Sequence, residues 1–250
     1  MSVLVAEAIS DENKKSKGGK RGDQTGKEIL VREYKKRSYS WDCVLRCTDR
    51  NMAEHAAYHA RMIAECSQFG YNQADRWSGP RNIEKVGVDH IKEAEAGDFD
   101  CSSLVLECYR LAGLPIKMTG YTGSMEKILM NTGMFDKYED KEHTESDKYA
   151  LVGDVYLAKE KHTLIVLEDG EEAEPQPTTD YVQILKGRMW VRKSPNGQKY
   201  RTVGVEDNPI PYLGYSKPDT EGKMWWAVDV DNMVGYISSG KPSYAILVRV

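Results

Sequence analysis

Of the five cysteines in this 250-residue chain, Cys101 stands where a thiol changes character. The stretch Gly97-Asp98-Phe99-Asp100-Cys101-Ser102-Ser103-Leu104-Val105-Leu106-Glu107-Cys108-Tyr109-Arg110-Leu111-Ala112-Gly113 reads as a helix. Asp100 has the side chain of an N-cap, and Leu104, Val105, Cys108, Leu111 and Ala112 recur at the spacing of one buried face. Gly113 is placed for a left-handed cap, with Pro115 close behind. Cys101 therefore falls on the first turn, where unpaired N–H groups and the macrodipole favour a thiolate. A thiol with pKa near 8.5 is only about 3% ionised at pH 7, whereas helix-start or His-paired cysteines drop to roughly 3.5–7.5. Ser102 beside it needs a strong external base, so Cys101 is the better nucleophile. The same stripe, continued by Leu104, Val105 and Cys108, also suits a plain core cysteine.

A nucleophilic thiol needs a base. Residues 152–157 and 162–168 read as two strands of a hairpin, joined through Lys159, Glu160 and Lys161 and stopped by Asp169-Gly170. His162 begins the second strand, so its ring can meet solvent on one side and the core layer on the other. A different chemistry competes earlier in the chain. Cys43 and Cys47 are four apart, as are His55 and His59, but only seven residues separate the inner pair where a zinc finger wants about twelve. The cysteines also share the inward period of a strand with Trp41 and Leu45, against Asp42, Val44 and Arg46. His143 lies in the charged stretch 136–148 and reads as a surface residue.

Other segments supply the scaffold. Residues 10–28 are polar and Gly-rich; they lack the Walker spacing and read as a flexible or functional loop. Residues 29–34 read as a strand, 52–69 as an Ala-rich helix ending at Gly70, 71–80 as a loop, and 124–130 as a short helix capped by Ser124. Residues 171–179 are acidic with two prolines and read as a linker. Beyond them, short strands at 181–185, 189–192, 200–205, 224–230 and 233–237 alternate with turn signals, the texture of a small barrel. Alternation along Trp225-Trp226-Ala227-Val228 turns one tryptophan outward.

Composition excludes several classes. With 40% hydrophobic and 30% charged residues the chain is an ordinary soluble globular protein, and a net charge of -4 argues against general nucleic-acid binding. An odd number of cysteines in a chain of this size argues against a disulfide framework and for a reducing compartment. No run approaches the roughly 20 apolar residues that span a bilayer, and the apolar start, interrupted by Glu7, is too short for a signal peptide.

The helix Asp100-Cys101-Ser102-Ser103-Leu104-Val105, followed by Gly153-Asp154-Val155-Tyr156-Leu157 and His162-Thr163-Leu164-Ile165-Val166-Leu167, resembles the NlpC-type, papain-like cysteine peptidases that cut peptidoglycan. Residues 17–28 are similar to the start of certain phage endolysins. The last 70 residues resemble a bacterial SH3 domain in Met189-Trp190-Val191-Arg192, Trp225-Trp226-Ala227-Val228 and Gly235-Tyr236-Ile237-Ser238-Ser239. The resemblance implies an α+β fold: a papain-like cysteine peptidase domain over 1–170 with helices on an antiparallel sheet, the linker 171–179, and a small all-β SH3-like barrel over 180–250.

It further implies Cys101 as nucleophile and His162, 61 residues later, as base. Family members carry a third polar residue about a dozen positions after the base. Here that place is the linker, with Glu174 nearest, and Pro175 and Pro177 make a poor paired strand. Asp23 or Gln24 of the Gly-rich loop can instead orient His162 or donate to an oxyanion. The family's aromatic-Gly-Gly approach to the cysteine is missing; Tyr71 or Trp77 stands in, and Tyr71, Asp100 and Ser102 are expected to line the substrate. Trp190, Trp225 and Tyr236 are expected to bind the wall. The reaction implied is hydrolysis of an amide of the wall stem peptide without metal or cofactor. A D-glutamyl–diamino acid endopeptidase comes first, N-acetylmuramoyl-L-alanine amidase second, and a non-catalytic wall-binding protein is the reading from another class. The expected partner is Gram-positive peptidoglycan. As a phage lysin, the protein would be made in the host cytoplasm without a signal peptide and act after release.

Overall fold

The computed structural model describes residues 2–173, 181–231, 233–240 and 243–248. Contacts divide the chain into two units, Met1–Glu174 and Pro175–Val250. The first unit runs β1 (Leu4–Ala8), β2 (Ile29–Glu33), β3 (Cys43–Cys47), α1 (Arg50–Ala64), β4 (Phe69–Tyr71), α2 (Ser78–Val86), β5 (Gly97–Phe99), α3 (Cys101–Leu111), α4 (Thr122–Met130), β6 (Phe135–Tyr138), α5 (Lys141–Thr144), β7 (Val155–Ala158) and β8 (His162–Val166). A six-stranded sheet has the order β2-β1-β8-β7-β3-β6 with antiparallel neighbours, and β4 and β5 form a separate parallel pair.

Both faces of the sheet are covered. On one, α1 (Ala53, Ala56, Ala60, Ile63) and α3 (Leu104, Val105, Cys108) pack on Ala6, Cys43, Leu45, Leu157 and Ile165. On the other, Tyr34, Trp41 and Ala150 cover Val5, Val44, Tyr156, Leu164 and Val166. This second layer corrects the half-buried reading of β3. Val44 is fully buried, and Arg46 is buried with its guanidinium on Asp154 (Nη2–Oδ2 2.6 Å, Nε–Oδ1 2.9 Å). Asp154 also accepts the Leu151 N–H at 2.9 Å, so the Gly-Asp pair ahead of β7 is structural. Gly153 itself sits at φ 85°, where an added Cβ would lie 2.6 Å from Ala53, and its carbonyl accepts the Tyr109 hydroxyl.

Three other expectations change. The helix expected over 52–69 ends at Ala64, because Phe69-Gly70-Tyr71 is drawn into a strand against β5. A Cβ on Gly70 would come within 2.3 Å of the Gly22 carbonyl oxygen, so this glycine permits a close backbone approach and is not a cap. The loop expected over 71–80 gives way at Ser78 to α2. The charged stretch 136–148 contains most of β6 and all of α5, and His143 stacks on Tyr138 at 4.3 Å while pairing with Asp140.

The second unit contains β9 (Tyr181–Ile184), β10 (Arg188–Arg192), β11 (Lys199–Gly204), β12 (Ile210–Pro218), β13 (Met224–Val230), β14 (Met233–Ser238) and β15 (Ala245–Val248). Its sheet has the order β11-β10-β14-β13-β12-β9-β15. β12 and β15 are absent from the sequence reading: the first carries two prolines and a register shift, and the second is only four residues long. Val182, Ile184, Val191, Val203, Val228 and Ile237 form this unit's own core.

Candidate active site

Cys101 opens α3 as the sequence pattern requires. Asp100 caps the helix: its Oδ1 accepts the Ser103 N–H at 2.7 Å, while the Asp100 N–H donates to Ser103 Oγ at 2.8 Å. That reciprocal box pins the first turn and the residue between. The thiol lies at the backbone N–H of Thr163, so it abuts the start of β8, one residue past His162. Cys101 is 8% exposed, and its open side faces a cleft of about 320 Å³ also lined by Lys17, Tyr71, Arg76, Tyr121 and Lys161. Asp100 and Ser102 line the same cleft, but both are committed: Asp100 Oδ2 accepts Arg76 at 2.8 Å and Oδ1 accepts the Ser102 hydroxyl at 2.8 Å.

His162 is held from the side away from solvent. Its Nε2 lies 2.6 Å from Oε2 of Glu7, a fully buried carboxylate on β1. Glu7 also receives Arg32 on Oε1 and Arg37 on Oε2. Burial pushes the Glu7 carboxyl up, but the His162 hydrogen bond and the charges of His162, Arg37 and Arg32 outweigh it and hold it below its ordinary value. An ionised Glu7 therefore faces the imidazole, and the ring centroids of Trp41 and His162 lie 6.3 Å apart.

Glu7 is the residue that sequence reasoning misses. The structure does find a polar residue on the strand next to the histidine strand, but β1 fills that place, 155 positions upstream. One signal was available: a lone acid inside the apolar run Val3-Leu4-Val5-Ala6-Glu7-Ala8-Ile9 needs a partner once that run is buried. The expected third residues lie elsewhere. Asp23 Oδ1 accepts the N–H groups of Thr25 and Gly26 at 2.8 and 2.7 Å, and the Gln24 amide donates to the Arg21 and Gly22 carbonyls. Glu174 and most of the expected linker lie outside the described residues.

The Gly-rich loop is not loose. Gly22 N–H donates to the buried Asp98 at 3.0 Å, and buried Glu28 accepts the N–H groups of Gln24 and Tyr71 at 2.9 Å each. These ties hold the loop on β4 and β5 and bring Lys17 to the cleft.

The thiol's own surroundings correct the sequence expectation. Burial, joined by the Asp100 charge, pushes Cys101 up to about 12, against the lowering effect of the Thr163 and Ser102 N–H groups. At neutral pH the sulfur is held as the thiol. The zinc alternative finds no support in placement: Cys43 and Cys47 are core residues under α1, and among the described residues no three His, Cys, Asp or Glu side chains gather as metal ligands would.

The family model of the endolysin-like domain matches residues 5–173, more than half of the chain, and takes in the helices and, but for Leu4, the strands of the first unit. The chain belongs to this family. No curated protein and no solved structure matches it. Membership makes the chain an endolysin-like peptidoglycan hydrolase in general terms. No helix among the described residues is long and apolar enough to cross a membrane.

Trp190, Trp225 and Tyr236 belong to the second unit, outside the matched segment. Trp190 is 44% exposed with Lys199 Nζ 4.6 Å from its ring centroid. Trp225 is buried, its indole N–H donating to Asp219 at 3.0 Å, and Tyr236 packs beside it with Ala227.

Proposed function

We propose that this endolysin-like domain hydrolyses an amide of the peptidoglycan stem by thiol chemistry, with Cys101 as nucleophile, His162 as base and Glu7 as positioning residue. One observation carries the reading: a helix-start thiol abuts the histidine's strand at the edge of an open cleft, and a buried carboxylate holds the histidine's other side. With Nε2 held by Glu7, Nδ1 is the nitrogen left to receive the thiol proton. As the S–C bond forms, the proton passes from sulfur to His162 and the imidazolium gains the charge of Glu7. The N–H groups opening α3 are placed for the oxyanion, as at any helix start. His162 then returns the proton to the leaving amine, and water cleaves the thioester with His162 as base.

The arrangement supports a papain-like peptidase, with the strand that normally follows the histidine strand replaced in space by N-terminal β1. With Arg76 paired to Asp100, and with Glu160 on the same wall, Lys17 and Lys161 leave the cleft a small positive excess, which suits a carboxylate-bearing substrate and accords with the D-glutamyl–diamino acid bond of a Gram-positive stem peptide. The second unit, an all-β sheet with aromatic and basic surface residues, is read as an SH3-type wall-binding module. Mass spectrometry of fragments released from purified walls tests the assignment. New N-terminal diamino acids are expected; free lactyl ends with intact stems would make the enzyme an amidase, and no release would leave only a binding role. Cys101→Ala should stop release while wall binding persists.

A further inference from the structure

Resting on the wall-binding reading of the second unit, we propose that a basic cleft on that unit binds the phosphodiesters of an anionic sugar- or polyol-phosphate polymer attached to the wall. The cleft holds about 360 Å³ and is lined by Arg188, Trp190, Arg192, Lys223, Trp225 and Ser238, with no acidic residue on its wall.

Charge points to an anion. Residues 175–250 contain ten Lys and Arg against seven Asp and Glu, net +3, although the preceding 174 residues are net -7. Among the described residues neither Arg192 nor Lys223 has an ion-pair partner; Arg192 spends one N–H on the Gly197 carbonyl at 2.7 Å and sits 5.6 Å from the Trp225 ring centroid. Asp219, four residues before Lys223, is taken up by the Trp225 indole and by backbone N–H groups of Glu221 and Lys223.

Two further features favour a repeating polyanion over a single carboxylate. Arg188, Trp190 and Arg192 alternate on one side of β10, between buried Met189 and Val191. Extended-strand spacing separates successive members by about 6.6–6.8 Å, so cation, indole and cation face a ligand in sequence. A polymer with a charge on each unit engages Arg192 directly and shares Arg188 with its ion-pair partner Glu206, and its ring or carbon chain covers the tryptophan between. The second feature is Ser238: its hydroxyl is buried, lines the cleft and has no hydrogen-bond partner among the described residues. A buried hydroxyl without a partner is costly, and a phosphate oxygen or polyol hydroxyl would satisfy it.

The test is pelleting of the full chain with Gram-positive walls before and after hydrofluoric acid extraction, which removes phosphodiester polymers and leaves peptidoglycan. The extracted polymer and a single-stranded oligonucleotide serve as competitors. Binding should fall at least tenfold on extracted walls. Arg192→Gln and Lys223→Gln should each weaken binding to intact walls about tenfold, the usual effect of losing one charged hydrogen bond. Lys223 is exposed, so its variant reports on binding even if Arg192→Gln perturbs the fold. Undiminished binding to extracted walls, or parental affinity in both variants, overturns the phosphate assignment and leaves wall binding intact. Failure to bind either wall overturns the wall-binding reading as well. Equal displacement by the oligonucleotide overturns selectivity for the wall polymer.

Discussion

Glu7→Gln removes one negative charge from behind His162 and changes almost nothing else in volume. In the parent the Oε2–Nε2 contact of 2.6 Å joins a buried carboxylate to the ring that takes the thiol proton in the proposed mechanism. A hydrogen bond to a charged group contributes about 1.5–3 kcal/mol, roughly twice a neutral one. The amide keeps the neutral half, so about 1–2 kcal/mol of transition-state stabilisation is lost, a fall of roughly 5- to 30-fold in rate. The bond strengthens only as charge develops, so kcat should fall and KM should stay near its parental value. Dye release from labelled walls and hydrolysis of a soluble stem fragment measure both constants. Arg32 and Arg37 lose a charged partner too, but each is about one-fifth to one-quarter exposed and can turn to water. Thermal unfolding checks that cost, and Glu7→Asp should restore part of kcat. A folded Glu7→Gln enzyme with parental kcat would refute the role of Glu7, and a loss confined to KM would make it a substrate contact.

Three further outcomes follow from the same geometry. Alkylation of Cys101 should keep accelerating above pH 9, because its thiol is pushed up to about 12; a plateau below pH 7 would mean a preformed thiolate. Asp98 is raised by burial from 3.8 to about 6, so its ionised form is penalised in the folded state. Stability from this group is greatest below about pH 4 and is lost as pH rises through 6. Asp98→Asn should therefore gain up to about 3 kcal/mol over the parent at pH 8 and little at pH 4, read from denaturant midpoints. Asp154→Ala strands the buried Arg46 and should cost about 3–5 kcal/mol in the same measurement, with a matching fall in melting temperature.

Local chemistry was legible in the sequence. The cap at Asp100, the apolar stripe of α3, the cap glycine at 113 (φ 99°) and the hairpin leading into His162 each depend on residues within a few positions of one another. A helix start or a turn is decided by which nearby side chains satisfy nearby backbone groups, and that information is contiguous. Long-range partners were not legible. Glu7 reaches His162 only because β1 pairs with β8 across 155 positions, and nothing in the spacing of residues announces which strands become neighbours. The same holds for the second core layer that buries β3 on both faces, and for Gly70, whose lack of a side chain answers to Gly22 and not to a helix end. Even the thiol divides this way. Its place at a helix start is written in the residues around Cys101, whereas its protonation is set by how much water the packed cleft admits, and only the folded chain decides that.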